Sequence, residues 1–399
     1  MPHPFMPDID LPTRSVSARA LTYASYVSFV PIGIATVLLG PMLPTLSARW
    51  SLNYAQAGAL FTAQYLASTC AVALSGVLAS RWGFRFPIKI GLLLMASGLL
   101  LLLSGPKVLG ILCITVYGAG LGLAVPAANL LVAAVNPERP GATLNLLNLF
   151  WSLGAVACPF LVAAAARSHH IPLFLTCVAV FSFAVTIGIA LMPSRVVEPS
   201  AARGKGPVLP LIRLSMRSFL ILCVLFFLYV GTENGFGGWV ASYSKSLGSL
   251  TPAISLITPS FFYAAMTVGR LLAPIALRTL SEVRLVQAGL LLACAGTAGL
   301  IFSHGLSGIT MSVCAAGLGL SSVYPITISI LSREFQSARI GSLMFTLSNV
   351  GGGLLPWLVG ISSNQFGTIK AGLFVPLLGC VTMYALYSRD WTKTELRFA

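Results

Sequence analysis

Charge is the scarcest feature of this sequence: 8% of its 399 residues are Asp, Glu, Lys or Arg, and only nine are acidic. Soluble domains carry about 25% charged residues. Disordered chains are polar and poor in aromatic residues, whereas this chain is 57% hydrophobic and 10% aromatic. The composition therefore excludes a soluble globular protein and a disordered one, and it predicts a protein that crosses a membrane several times.

Paired cysteines and metal-ligand spacings are also missing. The eight cysteines lie singly within apolar runs, without a CxxC motif or a Cys/His metal spacing. His3, His169, His170 and His304 fall in the predicted tail or loops, with no acidic partner nearby in sequence. We therefore expect no disulfide framework, no metal and no cofactor. An enzyme is disfavoured, because it needs a nucleophile with a base or clustered metal ligands.

Long apolar runs are what the sequence has in place of charge. A helical span needs about 20 mostly apolar residues, and twelve such runs lie between Pro, Gly and charged residues. They cover residues 20–46, 53–80, 87–104, 108–135, 141–167, 171–192, 217–246, 252–279, 285–303, 306–331, 339–365 and 370–388. The predicted fold is thus all-α and integral to the membrane.

The basic residues predict the orientation of these spans. If both termini lie on one side, the segments there hold 18 of the 24 Lys and Arg residues, the opposite segments hold five, and Arg270 lies within a span. Basic residues accumulate on the cytoplasmic side. We therefore expect a multi-pass protein of a bacterial inner membrane with both termini cytoplasmic. The same bias explains the net charge of +15 without a nucleic-acid partner.

The two halves of the sequence repeat each other at an offset of 197 residues. AGLGL at 119–123 recurs at 316–320, and Gly154 corresponds to Gly351. Two parallel six-span repeats indicate two pseudo-symmetric bundles and an alternating-access transporter. The predicted domains are a cytoplasmic tail (1–19), a first six-helix bundle (20–192), a cytoplasmic linker (193–216), a second six-helix bundle (217–388) and a C-terminal tail (389–399).

The loop after span two, GVLASRWGFR at 76–85, resembles the G-x-x-x-D-R-x-G-R-R loop of the major facilitator superfamily. The positions that fit are Gly76, Arg81, Gly83 and Arg85. Ser80 stands where the family usually has Asp. The resemblance implies gating or structural roles for the fitting residues. It also implies a weaker or rebuilt latch between the halves, since that Asp normally contributes charge contacts.

Three further segments resemble the fucose permease and sodium-dependent glucose transporter branch. LNLLNLFWSLGA at 144–155 is similar to span five of fucose permease relatives, and AAN at 127–129 to the end of their span-four motif. GTENGFGGWVASY at 231–243 is similar to span seven of the glucose transporters. The resemblance implies a sugar transporter, and we expect a hexose. Fucose permease relatives carry acids in their N-terminal spans, where this chain has none.

Glu233 is the one acid that falls inside a predicted span. It lies about sixteen residues, or about 24 Å, from the inner end of span seven. A carboxylate at that depth costs a few kcal/mol and usually marks an ion or substrate path. We predict that it couples transport to a proton or sodium gradient, with backbone capping or a pair with Arg270 as the alternative. Arg270 is expected to stabilise the inner helix ends or a loop acid such as Glu334.

Glycines surround Glu233 in span seven, at Gly231, Gly235, Gly237 and Gly238. Each costs about 1 kcal/mol relative to Ala within a helix. Their density predicts a weakened or kinked segment that moves during gating. Close packing of neighbouring helices is the alternative.

A sugar site needs amides for the hydroxyls and aromatic rings for the apolar ring face. The candidates in the spans are Gln64, Tyr65, Asn129, Asn145, Asn148, Trp151, Asn234, Trp239, Tyr243, Tyr263, Tyr324 and Asn349. Asn145, Asn148 and Trp151 share one helix face. For each Asn the alternative is an interhelical hydrogen bond, and for Trp and Tyr it is anchoring at the membrane interface.

The favoured interpretation is a secondary active transporter that rocks its halves around a central cavity. Its expected partners are a small-molecule substrate, a proton or sodium ion and the lipid bilayer, and we expect a monomer. An exporter of drugs or sugars with the same fold is the first alternative. A membrane-embedded enzyme or receptor is an alternative of another class.

Overall fold

A computed structural model of the chain describes residues 11–192, 216–334 and 338–390. Every described element is a helix, and the fifteen helices are α1 (Leu11–Val37), α2 (Leu39–Trp50), α3 (Tyr54–Trp82), α4 (Arg85–Leu101), α5 (Lys107–Val135), α6 (Pro140–Arg167), α7 (Ile171–Leu191), α8 (Met216–Ser246), α9 (Pro252–Ala276), α10 (Glu282–Phe302), α11 (Leu306–Leu320), α12 (Val323–Glu334), α13 (Ala338–Gln365), α14 (Ile369–Gly372) and α15 (Phe374–Asp390). Most of the predicted tails, and the predicted linker up to residue 215, lie outside the described residues.

These helices correspond to the twelve predicted spans. Span one consists of α1 and α2, span ten of α11 and α12, and span twelve of α14 and α15, whereas each other span is one helix. In the described part of the chain, eleven spans are long and apolar enough to cross a membrane. Span three is the exception because α4 has 17 residues. The predicted all-α membrane fold is confirmed, and the span numbers are kept below.

Helix packing repeats between the two bundles. In the first bundle, span one packs on span five, span two on span four, and span three on spans four and six. The second bundle repeats these pairs as seven on eleven, eight on ten, and nine on ten and twelve. The equivalence extends to single atoms, because a Cβ on Gly154 would overlap the Val30 carbonyl oxygen and one on Gly351 the Phe227 carbonyl oxygen. Gly154 and Gly351 are 197 positions apart, and so are Val30 and Phe227.

The AGLGL repeat is out of register by two residues when it is placed in three dimensions. Gly120 approaches Gly91 of span three, whereas its counterpart at offset 197, Gly317, approaches Phe262 of span eight. Span eight is equivalent to span two, which Gly118 approaches through the Gln64 carbonyl. The structural offset in span four is therefore 199, since the connecting loops of the two bundles differ in length.

The helix breaks do not lie where the glycines predicted them. Span seven is one continuous helix, Met216–Ser246, so the predicted weakening around Glu233 does not interrupt it. Breaks occur instead at Leu38 in span one, at 321–322 in span ten and at Leu373 in span twelve. Each precedes a proline (Pro41, Pro325 or Pro376), whose missing N–H cannot bond the carbonyl four residues earlier.

Glycines of span seven serve close packing, which was the alternative interpretation. A Cβ on Gly40 of span one would lie 3.0 Å from the Gly238 Cα. A Cβ on Gly238 would lie 2.7 Å from the Phe61 ring, and one on Gly237 would lie 2.8 Å from the Tyr263 hydroxyl. Gly235 has only ordinary contacts. Small residues allow helix backbones to approach in this way.

The two bundles meet through spans one and seven, two and eleven, and five and eight. The tightest contacts lie on the side opposite the chain termini. There Thr62 donates a hydrogen bond to the Gly353 carbonyl at 3.1 Å, and Ser260 donates one to the Val156 carbonyl at 2.9 Å. The bundles are therefore closed on this side, and we call the other side the termini side.

Candidate substrate and coupling site

Glu233 lies at the centre of the bundle on the wall formed by the second half. The side chains of Glu233 and Asn234 are partly exposed although both residues lie mid-helix. Because the bundles are closed on the opposite side, we infer that this exposure is toward the termini side. Glu233 can therefore meet both an ion and a substrate, as an ion path requires.

Arg270 lies close enough to Glu233 for a direct electrostatic interaction. The two form no hydrogen bond or ion pair within 4.0 Å in the described part of the chain. The Tyr229 hydroxyl neighbours both charges without completing a well-formed hydrogen bond to either. The centre of the bundle thus holds one carboxylate, one guanidinium and one phenol in loose contact.

The guanidinium of Arg270 reaches across to the first bundle. Its Cζ lies 5.8 Å from the ring centroid of Trp151 in span five, within the range of a cation–π interaction. This position differs from the expected role at the inner helix ends. The ion pair found there is formed by Glu282 and Arg333, and the side chain of Glu334 lies outside the described residues.

Two aromatic pairs line the same region. Tyr229 and Tyr324 stack with ring centroids 5.1 Å apart and an interplanar angle of 25°. Trp151 and Tyr263 meet edge to face at 6.4 Å across the two bundles. The Trp151 indole N–H also points at the Thr36 hydroxyl, 3.4 Å away. Trp151, Tyr263 and Tyr324 were among the predicted site residues, and their role as an apolar platform for a sugar stays a prediction.

A second contact between the bundles lies beside Glu233. Tyr65 of span two donates a hydrogen bond to Asn234 Oδ1 of span seven at 2.7 Å. The Asn234 amide nitrogen donates to its own Val230 carbonyl at 2.8 Å, which holds the acceptor oxygen toward span two. Both residues were predicted site residues, and the structure brings them together.

We expect Tyr65→Phe to loosen the closed side, because the exchange deletes one hydrogen bond between the bundles, worth about 1 kcal/mol. Spin labels at Ser51 and Phe366, which are exposed on the closed side, would report a larger population of long distances. Tyr117→Phe is the matched control, since the Tyr117 hydroxyl donates to Gln64 Oε1 at 3.1 Å within the first bundle. Equal distance distributions in the two variants would contradict a closing role for Tyr65.

Four other predicted side chains already have partners inside the protein. Gln64 accepts from Tyr117, and the Trp239 indole donates to the Pro356 carbonyl at 2.9 Å. Tyr243 donates to carbonyls of span nine, and Asn129 donates to its own Val125 carbonyl. Gln64, Trp239 and Tyr243 are also buried. Their geometry fits helix packing rather than anchoring of Trp239 and Tyr243 at the membrane interface, which was the alternative stated for these two residues. The four side chains are not part of the proposed site.

The predicted Asn stripe of span five is only partly joined to the centre. Asn145 and Asn148 are exposed and lie on the termini side of Trp151. Asn148 donates to its own Leu144 carbonyl, and Trp151 alone contacts Arg270 and Tyr263. Asn349 of span eleven is half-buried. The contribution of these three amides to substrate binding stays a prediction.

The loop after span two has structural roles for two of its four matching residues. Gly83 ends the helix with φ = 78°, a conformation that favours glycine. Arg85 donates to the Met192 carbonyl at 3.2 Å, tying span three to the end of span six. Arg81 is exposed, and a Cβ on Gly76 would meet no atom within 4 Å. Ser80 donates to its own Val77 carbonyl.

Tyr229 is the central residue that the sequence prediction missed. Its spacing of four residues before Glu233 puts both on one helix face, so the signal was present. Thr36, the partner of Trp151, was missed as well. It precedes Glu233 by 197 residues and therefore occupies the equivalent position in the first bundle.

The comparisons with known proteins agree with this fold. The family model described as Major Facilitator Superfamily matches residues 26–356. A glucose/galactose transporter of Brucella abortus is 25% identical, with 94% of each chain covered, and the L-fucose-proton symporter of Escherichia coli is 22% identical, with 90% of each covered. The solved structure of a D-xylose-proton symporter matches with a TM-score of 0.75 at 16% identity, covering 92% of this chain and 96% of that one. The resemblance noted in the sequence is confirmed.

Proposed function

Because the chain belongs to the major facilitator superfamily of membrane transporters and is not an enzyme, we propose that it moves a sugar across the membrane by alternating access, coupled to a proton gradient through Glu233. The observation that carries the proposal is the partly exposed carboxylate of Glu233 at the centre of the bundle, beside Arg270 and Tyr229. An ionisable group in that place is the expected coupling site of a transporter.

A sugar is supported by the neighbours of Glu233. The Asn234 amide and the Tyr65 and Tyr229 hydroxyls offer donors and acceptors for sugar hydroxyls, and the Trp151 ring can pack on the apolar face of a hexose. Relatives that span nearly the whole chain carry the names of glucose, galactose and fucose transporters. A sugar built on a hexose ring is the substrate class that fits both lines of support.

A proton is favoured over sodium by the oxygens near Glu233. Sodium binding requires several oxygen ligands around one point, as hard cations do in general. Thr232 adjoins Glu233 in sequence, but its hydroxyl packs against Gly379 of span twelve, and Thr232 is fully buried there. The positive charge of Arg270 also opposes a bound cation. A carboxyl that gains and loses a proton needs neither further ligands nor a cation-sized cage.

We further propose a bacterial inner-membrane location with the termini side facing the cytoplasm. The bias of basic residues supports this orientation. The structure then corresponds to the state whose cavity opens to the cytoplasm. The protein is proposed to act as a monomer, because each bundle already finds its partner bundle within the same chain.

The test is uptake by purified protein in liposomes, with a panel of hexoses and their acid derivatives offered under separate proton and sodium gradients. We expect an inward proton gradient to concentrate one or more of these sugars and a sodium gradient of equal size to have no effect. Accumulation driven by sodium alone would contradict the choice of ion. Proton-driven expulsion of lipophilic cations without any sugar response would instead establish the exporter.

A further inference from the structure

The central site holds a positive charge that its only nearby acid does not pair directly. Glu233 and Arg270 are the charged residues at mid-membrane depth in the described spans, and no ion pair within 4.0 Å joins them. Arg270 Nε and the Tyr229 hydroxyl are both buried without a hydrogen-bond partner among the described residues, and Tyr229 is only 2% exposed. Unsatisfied buried donors cost free energy until a ligand or a water meets them.

Charge balance limits what can fill this site. The central site of a transporter is turned from one side of the membrane to the other with substrate bound and again without it. A net charge inside the membrane costs free energy in both steps. With Glu233 ionised, the empty site is neutral, because Glu233 balances Arg270. With a proton on Glu233, the site carries one positive charge, which a neutral hexose leaves uncompensated and one substrate carboxylate cancels.

We propose that the substrate is a sugar acid with a single carboxylate, which Arg270 binds while Glu233 carries the co-transported proton. The inference rests on the proposed function, since it assigns the substrate class of the same site. Arg is the side chain best suited to a carboxylate, because its fork of N–H groups donates a hydrogen bond to each of the two oxygens. The Tyr229 hydroxyl is placed to donate to the same carboxylate or to a neighbouring sugar hydroxyl.

Each turnover then balances in atoms and charge. One proton binds to the Glu233 carboxylate, and one monoanionic sugar acid binds to Arg270, so that the loaded site is neutral. After the halves rock, substrate and proton leave on the other side, and Glu233 again balances Arg270. The remaining titratable groups that face Glu233 are Tyr65, Tyr229, Tyr263 and Tyr324.

Ligand specificity of the wild-type protein provides the first test. Binding of glucose, glucuronate and glucose 6-phosphate is compared at mildly acidic pH, for example by thermal stabilisation. Because a charged hydrogen bond outweighs a neutral one, glucuronate should bind about tenfold to hundredfold more tightly than glucose. Stronger binding of the phosphate ester than of glucuronate would overturn the carboxylate assignment.

Membrane potential separates the two substrate classes without any substitution. Uptake of one proton with one monoanion moves no net charge, so proton-driven glucuronate uptake should not respond to an imposed potential. Uptake of a neutral hexose with a proton would respond, because a potential acts on each charge moved. Potential-sensitive uptake of glucose that exceeds uptake of glucuronate would overturn the inference and leave the proposed function intact.

Arg270→Gln tests the residue itself. The variant should bind glucose and glucuronate equally, whereas Arg278→Gln, which removes an exposed charge at the end of the same span, should keep the preference for the acid. Arg270→Lys should restore part of the preference, because the charge returns without the fork. If Arg270→Gln still prefers glucuronate as strongly as the wild type, the anion site lies elsewhere. If Arg270→Gln does not fold, the potential measurement on the wild type decides.

Discussion

Replacing Glu233 with Gln should abolish concentrative uptake and spare exchange of substrate across the membrane. Gln keeps the size and hydrogen-bonding capacity of a protonated Glu but cannot release a proton. With a gradient of one pH unit, each coupled proton supports about tenfold accumulation, and Glu233→Gln should lose all of it. Counterflow of labelled substrate needs no proton release, so it should continue near the wild-type rate.

Glu138→Gln is the control for this prediction. Glu138 is an exposed acid in the loop between spans four and five, so its loss removes one negative charge far from the centre. It should leave both accumulation and counterflow unchanged. If Glu233→Gln concentrates substrate as the wild type does, Glu233 is not the coupling residue. If both assays fail while the protein stays folded, Glu233 has a binding role instead.

Gly351→Ala should destabilise the protein strongly. The new Cβ would overlap the Phe227 carbonyl oxygen at the contact between spans eleven and seven, and backbone cannot move aside as a flexible side chain can. Overpacking of this kind costs about 1–3 kcal/mol or more. We expect a lower midpoint of thermal unfolding in detergent. The midpoint can be measured by tryptophan fluorescence or by the loss of a monodisperse peak. Gly154→Ala should behave alike, because its Cβ would meet the equivalent Val30 carbonyl.

Gly188→Ala is the matched control substitution, and its expected effect on stability has the opposite sign. Gly188 lies in the helix of span six, and a Cβ there would meet nothing within 4 Å. Ala is favoured over Gly in a helix by about 0.5–1 kcal/mol, so stability should stay equal or rise slightly. Equal unfolding midpoints for Gly351→Ala and Gly188→Ala would contradict the close helix approach in this structure.

The architecture was predictable because it depends on quantities that a sequence states directly. Apolar length defines a span, basic residues predict its direction, and the match of Gly154 with Gly351 revealed the repeat. The structure agrees with the spans and with the repeat at these two glycines, which share equivalent backbone contacts, whereas it moves the AGLGL match by two residues. The helix breaks in spans one, ten and twelve were missed, although prolines four residues after the carbonyls concerned were a usable signal.

The candidate site was less predictable, because it depends on how helices rotate and how deep each residue lies. Glu233 was found because a lone acid in an apolar span is conspicuous. Arg270 was expected to act at the inner helix ends, since counting residues along one helix ignores the reach of a long side chain. Its guanidinium extends to Trp151. Trp239 and Tyr243 look like binding residues in sequence, and only the three-dimensional arrangement reveals their carbonyl partners.

Proton coupling through Glu233 is measured most directly as proton movement during transport by the wild-type protein. Proteoliposomes loaded with a pH-sensitive dye receive substrate on the outside without any imposed proton gradient, and Glu233→Gln is measured in parallel. We expect substrate entry to acidify the interior in the wild type, with about one proton for each substrate molecule, and we expect no such signal in Glu233→Gln. Substrate entry with no pH change in the wild type, or an undiminished pH change in the variant, would contradict this coupling.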